Sequence, residues 1–148
     1  MLHFSKTAGY AIHALSCIGA SVPQACFVRD IASRTGLQKP YLAKIIVQLV
    51  QSGLVRTKRG YRGGVVLARN PEEISLLEVV QAIEGAPSLG TCLFGLKECP
   101  ARGHCPAHAH WNSTRKEIEE TLRRTMLSAV MKVTPRRKSG GARLAEPF

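Results

Sequence analysis

The chain has 148 residues, an ordinary apolar fraction of 45% and a formal net charge of +11, enough for one compact domain with an appendage. The charge is one-sided: residues 1–71 hold ten Lys or Arg against a single acid, Asp30, whereas residues 72–148 hold eleven against nine. A single-signed half points to a polyanionic partner, and no stretch nears the roughly 18 apolar residues that a membrane span requires, so no membrane partner is expected.

The opening Met1-Leu2-His3-Phe4-Ser5-Lys6 lacks an apolar segment followed by a small-residue cleavage site. A cytoplasmic location is therefore expected, at the nucleoid if the polyanion is DNA. Thiols stay reduced there, and five cysteines, an odd count, argue against a closed disulfide framework.

In chain order, Ser5 can cap a first helix whose apolar positions Ala8, Ala11, Ile12, Leu15 and Ile18 follow helical spacing and which ends near Gly19. Val22-Pro23-Gln24 reads as a turn. A short second helix places Val28, Ile31 and Ala32 on one face and stops at Thr35-Gly36. Gln38-Lys39-Pro40 opens a third, with Pro40 suited to a first helical position. Its stripe is Leu42, Ile45, Ile46, Leu49 and Val50, and Ser52-Gly53 closes it. Two helices of about two and three turns around Thr35-Gly36-Leu37 form a helix-turn-helix pattern.

Leu54 to Ala68 reads as two short strands around a Gly-rich, Arg-rich tip, a wing. Asn70-Pro71-Glu72-Glu73 and Ser75-Leu76-Leu77-Glu78 both match a capping box, predicting a short turn and then a helix to about Glu84. Gly85 to Cys105 has no periodicity and reads as a loop of the length that is usually functional or disordered. Beyond it, Trp111, Ile118, Leu122, Met126, Ala129 and Val133 predict one helix of about six turns. Its stripe is too long for so small a core, so a second subunit is its expected cover, with Trp111, Ile118, Leu122 and Met126 as dimerisation residues. Residues 134–148, including Pro135-Arg136-Arg137-Lys138, read as a flexible basic tail.

The expected fold is mainly α with a small β wing: a winged helix-turn-helix plus a long C-terminal dimerisation helix. Its parts are a DNA-binding domain over residues 1–69, a connecting helix and cysteine-rich loop over 70–108, the dimerisation helix over 109–133, and the tail.

A helix enters the major groove only if one face is polar and the opposite face anchors it. The third helix meets that condition, with Lys39, Tyr41 and Lys44 expected on phosphates or base edges of a double-stranded operator. The wing adds Arg56, Lys58, Arg59, Arg62 and Arg69 with no acid between them. Arg59, beside Gly60, is the best candidate for a narrow minor groove, where negative potential is focused. Gly63-Gly64 allows a reversal and a close backbone approach to phosphate.

Cys92, Cys99, Cys105 and His108 supply three thiolates and an imidazole within seventeen residues. Structural zinc commonly uses Cys-x2-Cys knuckles, which are absent here, and wider spacings on a loop suit an iron–sulfur cluster. Spacing alone leaves a metal site and a thiol site both open. Cys17 and Cys26 read instead as a buried small hydrophobe and an incidental residue.

Together these residues resemble the bacterial winged-helix regulators that include the iron–sulfur-cluster regulator IscR and the nitric-oxide sensor NsrR. The likeness covers roughly residues 1–133. It rests on Phe4-Ser5-Lys6-Thr7-Ala8-Gly9-Tyr10-Ala11, Pro40-Tyr41-Leu42, Gly53-Leu54-Val55 and Arg59-Gly60-x-x-Gly63-Gly64. It continues through Ile74-Ser75-Leu76-x-Glu78-Val79 to Cys105-Pro106-Ala107-His108-Ala109-His110-Trp111. The resemblance implies a homodimer that crosses its long helices, binds a palindromic operator and changes affinity with the state of a cluster. It also implies that Cys92, Cys99 and Cys105 ligate the cluster.

In the IscR-like branch a histidine three residues after the third cysteine completes a [2Fe-2S] site, and His108 stands there. In the nitric-oxide-sensing branch an acid in the partner's first helix serves, whereas this chain has Ala8 and no carboxylate in residues 1–29. The first gap, six residues rather than the five of the best-known members, keeps a [4Fe-4S] centre as the alternative cofactor. The expected function is a regulator, a repressor in kind, whose cluster senses iron, redox state or nitric oxide. A zinc or thiol–disulfide switch on the same residues is the alternative. A cluster-carrying electron-transfer module or enzyme is more distant, because neither a phosphate-binding glycine loop nor a catalytic array is present.

Overall fold

A computed structural model describes residues 5–86, 89–90, 92–96 and 105–133. Helix α1, Lys6–Gly19, starts at Ser5, whose Oγ accepts from the Ala8 N–H at 3.2 Å. It forms the centre of the core: Ala8, Ala11, Ala14, Leu15 and Ile18 are all buried, and α1 packs on the other core elements in turn. The small alanines on its face let those elements approach closely, which is why so short a chain closes a single core.

Helix α2, Val28–Thr35, ends where Gly36 takes a φ of 74° and returns its N–H to Ala32 O at 2.8 Å. Helix α3, Lys39–Gln51, follows after Gly36-Leu37-Gln38, with Pro40 in its first turn. Leu42, Ile45, Ile46 and Leu49 are buried against α1 and α2. Val50, expected in that stripe, is instead 37% exposed. At 100° per residue it lies about 90° around the helix from the centre of the stripe.

Strands β1, Val55–Lys58, and β2, Gly64–Leu67, pair antiparallel, with Val55 opposite Leu67 and Lys58 opposite Gly64. Val55, Val65 and Leu67 point into the core while Arg56 and Lys58 remain exposed, as period-two alternation requires. Cys26 extends the sheet by one residue: it and Val65 exchange both backbone hydrogen bonds, at 2.9 and 2.8 Å.

The Asn70 motif makes a turn and not a helix, its Oδ1 accepting from Glu72 N at 3.1 Å. The Ser75 motif is a true capping box opening helix α4, Leu76–Glu84. Helix α5, Pro106–Arg124, runs from Cys105 to Thr125, and here the single long helix expected over 109–133 is corrected. The chain turns extended at Thr125, Ser75 and Met126 form an antiparallel bridge, and a separate helix α6, Leu127–Val133, begins. Leu76 N donates to Thr125 O at 2.9 Å and Leu127 N to Ile74 O at 2.8 Å. The break lets Leu127 reach the core, where it is fully buried, and lays α6 along α1. Burial of that one leucine, about 2 kcal/mol, and two new backbone bonds offset the helical bonds that are lost.

A winged helix-turn-helix with a helical C-terminal extension therefore results, mainly α with one two-stranded sheet. Among the described residues no helix is long and apolar enough to cross a membrane.

Candidate nucleic-acid interface and cysteine cleft

The outward end of α3 and the wing form one basic surface. Lys39, Lys44, Arg56, Lys58, Arg59 and Arg62 are all exposed, and none has a carboxylate partner among the described residues. Cations left unpaired in this way are available to phosphates. Ala43 and Val47, also exposed, share the outward face with Lys44. A search for charge alone misses them, although apolar side chains contact thymine methyl groups.

Tyr41 and Arg69, both expected on the DNA-facing surface, are already engaged within the chain. Tyr41 is 37% exposed, its hydroxyl lies 2.7 Å from Thr7 Oγ1, and its ring meets Tyr10 edge-on at 6.0 Å. It ties the start of α3 to α1, so its first role is to hold the reading helix in place. Arg69 donates to Glu78 Oε1 at 2.5 Å and is not a free cation of the wing. Burial alone would push the Glu78 carboxyl up. The hydrogen bond from Ser75 N and the hydrogen bond and charge of Arg69 outweigh it, holding the group below the usual Glu value.

Gly63 and Gly64 are needed for a different approach than the one expected. A Cβ on Gly63 would lie 2.5 Å from Lys58 O, and one on Gly64 would lie 2.6 Å from Cys26 O. The close contact is with the chain's own backbone, and Gly63 is buried.

Cys92, Cys105 and His108 line one small cleft of about 10 Å³ walled by Leu93, Phe94 and Trp111. Cys105 is the residue preceding α5, and His108 sits in the first turn, its N–H donating to Cys105 O at 3.0 Å. The His108 Nε2 lies 3.0 Å from the Asn112 side-chain amide. The amide nitrogen can only donate, so Nε2 accepts and the neutral ring carries its proton on Nδ1; ligation through Nδ1 would require the amide to turn so that its oxygen accepts from Nε2–H. Trp111 is buried, and its indole N–H donates to Gly90 O at 3.0 Å, fastening the loop to α5.

Cys99, the fourth member of the expected set, lies outside the described residues, as do His104 and the tail over 134–148. Among the described residues no three His, Cys, Asp or Glu side chains gather as a metal site. Cys92, Cys105 and His108 line one apolar-walled cleft without converging as a ligand set, and they are of the residue types that a soft metal centre uses. Cys17 behaves otherwise: burial pushes its thiol up, the Arg34 charge opposes this and Cys26 adds to it, which leaves Cys17 an unreactive packing residue.

On α5, Ile118 and Leu122 are half-exposed. Trp111 is covered within its own chain, and Met126 has left the helix for the bridge to Ser75.

Comparison with known proteins agrees with this architecture. The chain is similar to a protein of Aquifex aeolicus described as an HTH-type transcriptional regulator, 26% identical over 132 residues, which cover 88% of this chain and 92% of the relative. Its fold superposes on IscR of T. potens with a TM-score of 0.72 at 27% identity, over 94% of each chain. It superposes equally on CymR, the global cysteine regulator of B. subtilis, with a TM-score of 0.74 at 23% identity, over 91% of this chain and all of that one. The family model described as Rrf2, iron-dependent transcriptional regulator, matches residues 4–133. The chain thus belongs to the Rrf2 family, whose members are winged-helix transcriptional regulators and not enzymes.

Proposed function

We propose that this regulator works as a homodimer, reads a duplex operator with α3 and the wing, and sets its operator affinity by an iron–sulfur cluster held in the cysteine cleft. The observation that carries the sensor reading is the shared cleft of Cys92, Cys105 and His108 at the head of α5. Cys99, seven residues after Cys92 and six before Cys105, would complete the set, with a [2Fe-2S] centre as the leading type. When bound, such a group supplies a change of charge or its own loss as the signal. The chain's residues supply the rest: two thiolates and an imidazole as donors, Asn112 to orient the ring, and Leu93, Phe94 and Trp111 to limit water.

DNA is read by α3 and the wing. Lys39 and Lys44 on α3 take the major-groove side, while Arg56, Lys58, Arg59 and Arg62 follow the backbone into the adjacent minor groove. Tyr41 positions α3. The half-exposed Ile118 and Leu122 stripe of α5 supports pairing of two copies.

A thiol switch on the same cysteines is the second reading, supported by the two thiols, Cys92 and Cys105, that line one cleft. Anaerobic purification separates the two. The cluster reading expects a coloured protein with stoichiometric iron and sulfide, and operator affinity that changes when the cluster is removed. A colourless protein with intact thiols, and affinity that follows Cys oxidation instead, overturns it.

A further inference from the structure

The tip of the wing holds a residue that the basic surface does not account for. Gly63 N donates to Gly60 O at 2.8 Å, so Tyr61 and Arg62 are the two central residues of a tight turn. The mount is rigid on every side. Gly60 takes a φ of 111°, Gly63 is pressed on Lys58 O and Gly64 on Cys26 O, and Cys26 pins β2 from its outer edge. At the apex the Tyr61 ring is 98% exposed, with no hydrogen-bond or ring partner among the described residues.

A single exposed aromatic needs no explanation by itself. The setting of Tyr61 is what distinguishes it. Lys58, Arg59 and Arg62 surround it, and no acid occurs between Asp30 and Glu72. A groove walled by phosphates and floored by sugars and base edges offers each of these groups its complement: anions for the cations, and apolar sugar and base surface for the ring.

Resting on the reading that the wing enters DNA, we propose that Tyr61 is a specificity-determining contact. Its ring inserts between the walls of the minor groove and packs on deoxyribose and base edges, with its hydroxyl turned to the N3 and O2 acceptors that A·T pairs present there. The arginines beside it supply affinity that depends on salt; the tyrosine supplies a component that does not.

The test uses the full chain and the best duplex that the wild type recovers from a randomised pool, with Kd measured across a salt series. Tyr61→Ala is expected to raise Kd about tenfold, the scale of one aromatic–base contact, with the slope of log Kd against log salt unchanged. Tyr61→Phe should keep most of the affinity, which the ring supplies, while losing part of the A·T preference, and Arg62→Ala should flatten the slope by about 1. The preference for an A·T over a G·C step beneath the wing should shrink in Tyr61→Ala.

Wild-type affinity in Tyr61→Ala overturns the proposal, as does a loss accompanied by the flattened slope of the arginine variant. It is overturned as well if Tyr61→Ala loses binding to anionic lipid vesicles while duplex binding is intact. If the wild type recovers no duplex at all, the DNA reading itself fails, an outcome distinct from any difference between variants. Because the ring packs on nothing, the variants should keep the wild-type melting temperature.

Discussion

Met131 rests on the bare backbone of Gly19: a Cβ built at position 19 would lie 2.7 Å from both its Sδ and its Cε, and 3.3 Å from Leu67 Cδ1. This contact docks α6 where α1 ends and β2 passes. Met131→Ala should destabilise the chain by about 1–2 kcal/mol, less than a fully buried site because Met131 is half-exposed. Gly19→Ala should cost less, since the end of a thioether can swing aside. The double variant should be milder than the sum by at least about 0.5 kcal/mol, because the new methyl fills the vacated space. Urea unfolding measures all three, and strict additivity would show that the two positions do not compete for the same space.

Operator binding should fall steeply with salt, because six cations of α3 and the wing have no carboxylate partner among the described residues. Arg59→Ala should weaken binding and reduce the salt slope by about 1. Anisotropy titrations between low and moderate salt would expose a misread surface as a flat response in the wild type.

Glu78 predicts a stability that depends on acid pH. Its folded-state carboxyl is held below the ordinary Glu value, so its contribution is present above that ordinary value and is lost as pH falls through the folded one. Glu78→Gln, which cannot ionise, should melt lower than the wild type at pH 7, by the modest amount that a partly exposed pair and cap provide, about 1 kcal/mol or less. The gap should close on acidification. A gap of constant size from pH 7 to pH 3 would assign the effect to packing alone.

Trp111 is the chain's one tryptophan and lines the cleft beside Cys92, Cys105 and His108, so its emission should report occupancy of the site. Anaerobic addition of ferrous iron and sulfide should quench it in the wild type and leave it unchanged in Cys92→Ala. The variant should keep the fold and show the operator affinity of the cluster-free protein, with no further response to the signal. Equal quenching in both proteins would remove Cys92 from the ligand set.

Much of the fold is written in short signals that act over three or four residues. Ser5 and Ser75 cap because their hydroxyls reach backbone N–H groups one turn ahead, and Gly36 ends α2 because it takes a left-handed conformation. The break at Thr125 carries no such mark. Neither Pro nor Gly stands there, and the apolar positions Ile118, Leu122, Met126 and Ala129 continue the helical period straight through it. What breaks the helix is a distant partner: the backbone of Ile74 and Leu76 and the pocket that takes Leu127. The Arg69–Glu78 pair is hidden for the same reason, since its partners are nine residues apart, one just past β2 and the other in α4. In the cleft, spacing brings Cys105 and His108 together through one helical turn, but the wall formed by Trp111 emerges only once the indole is tied to Gly90.

The bridge at Thr125 also decides what α5 can do. A helix of 19 residues is a rod about 28 Å long. One end adjoins Cys105, and the other is bolted through Thr125 O to the first residue of α4. Two residues on, Glu78 grips Arg69 just past the end of β2. Cleft and wing are therefore joined by an unbroken run of direct contacts, from α5 through Thr125 to α4 and on through Glu78 to Arg69.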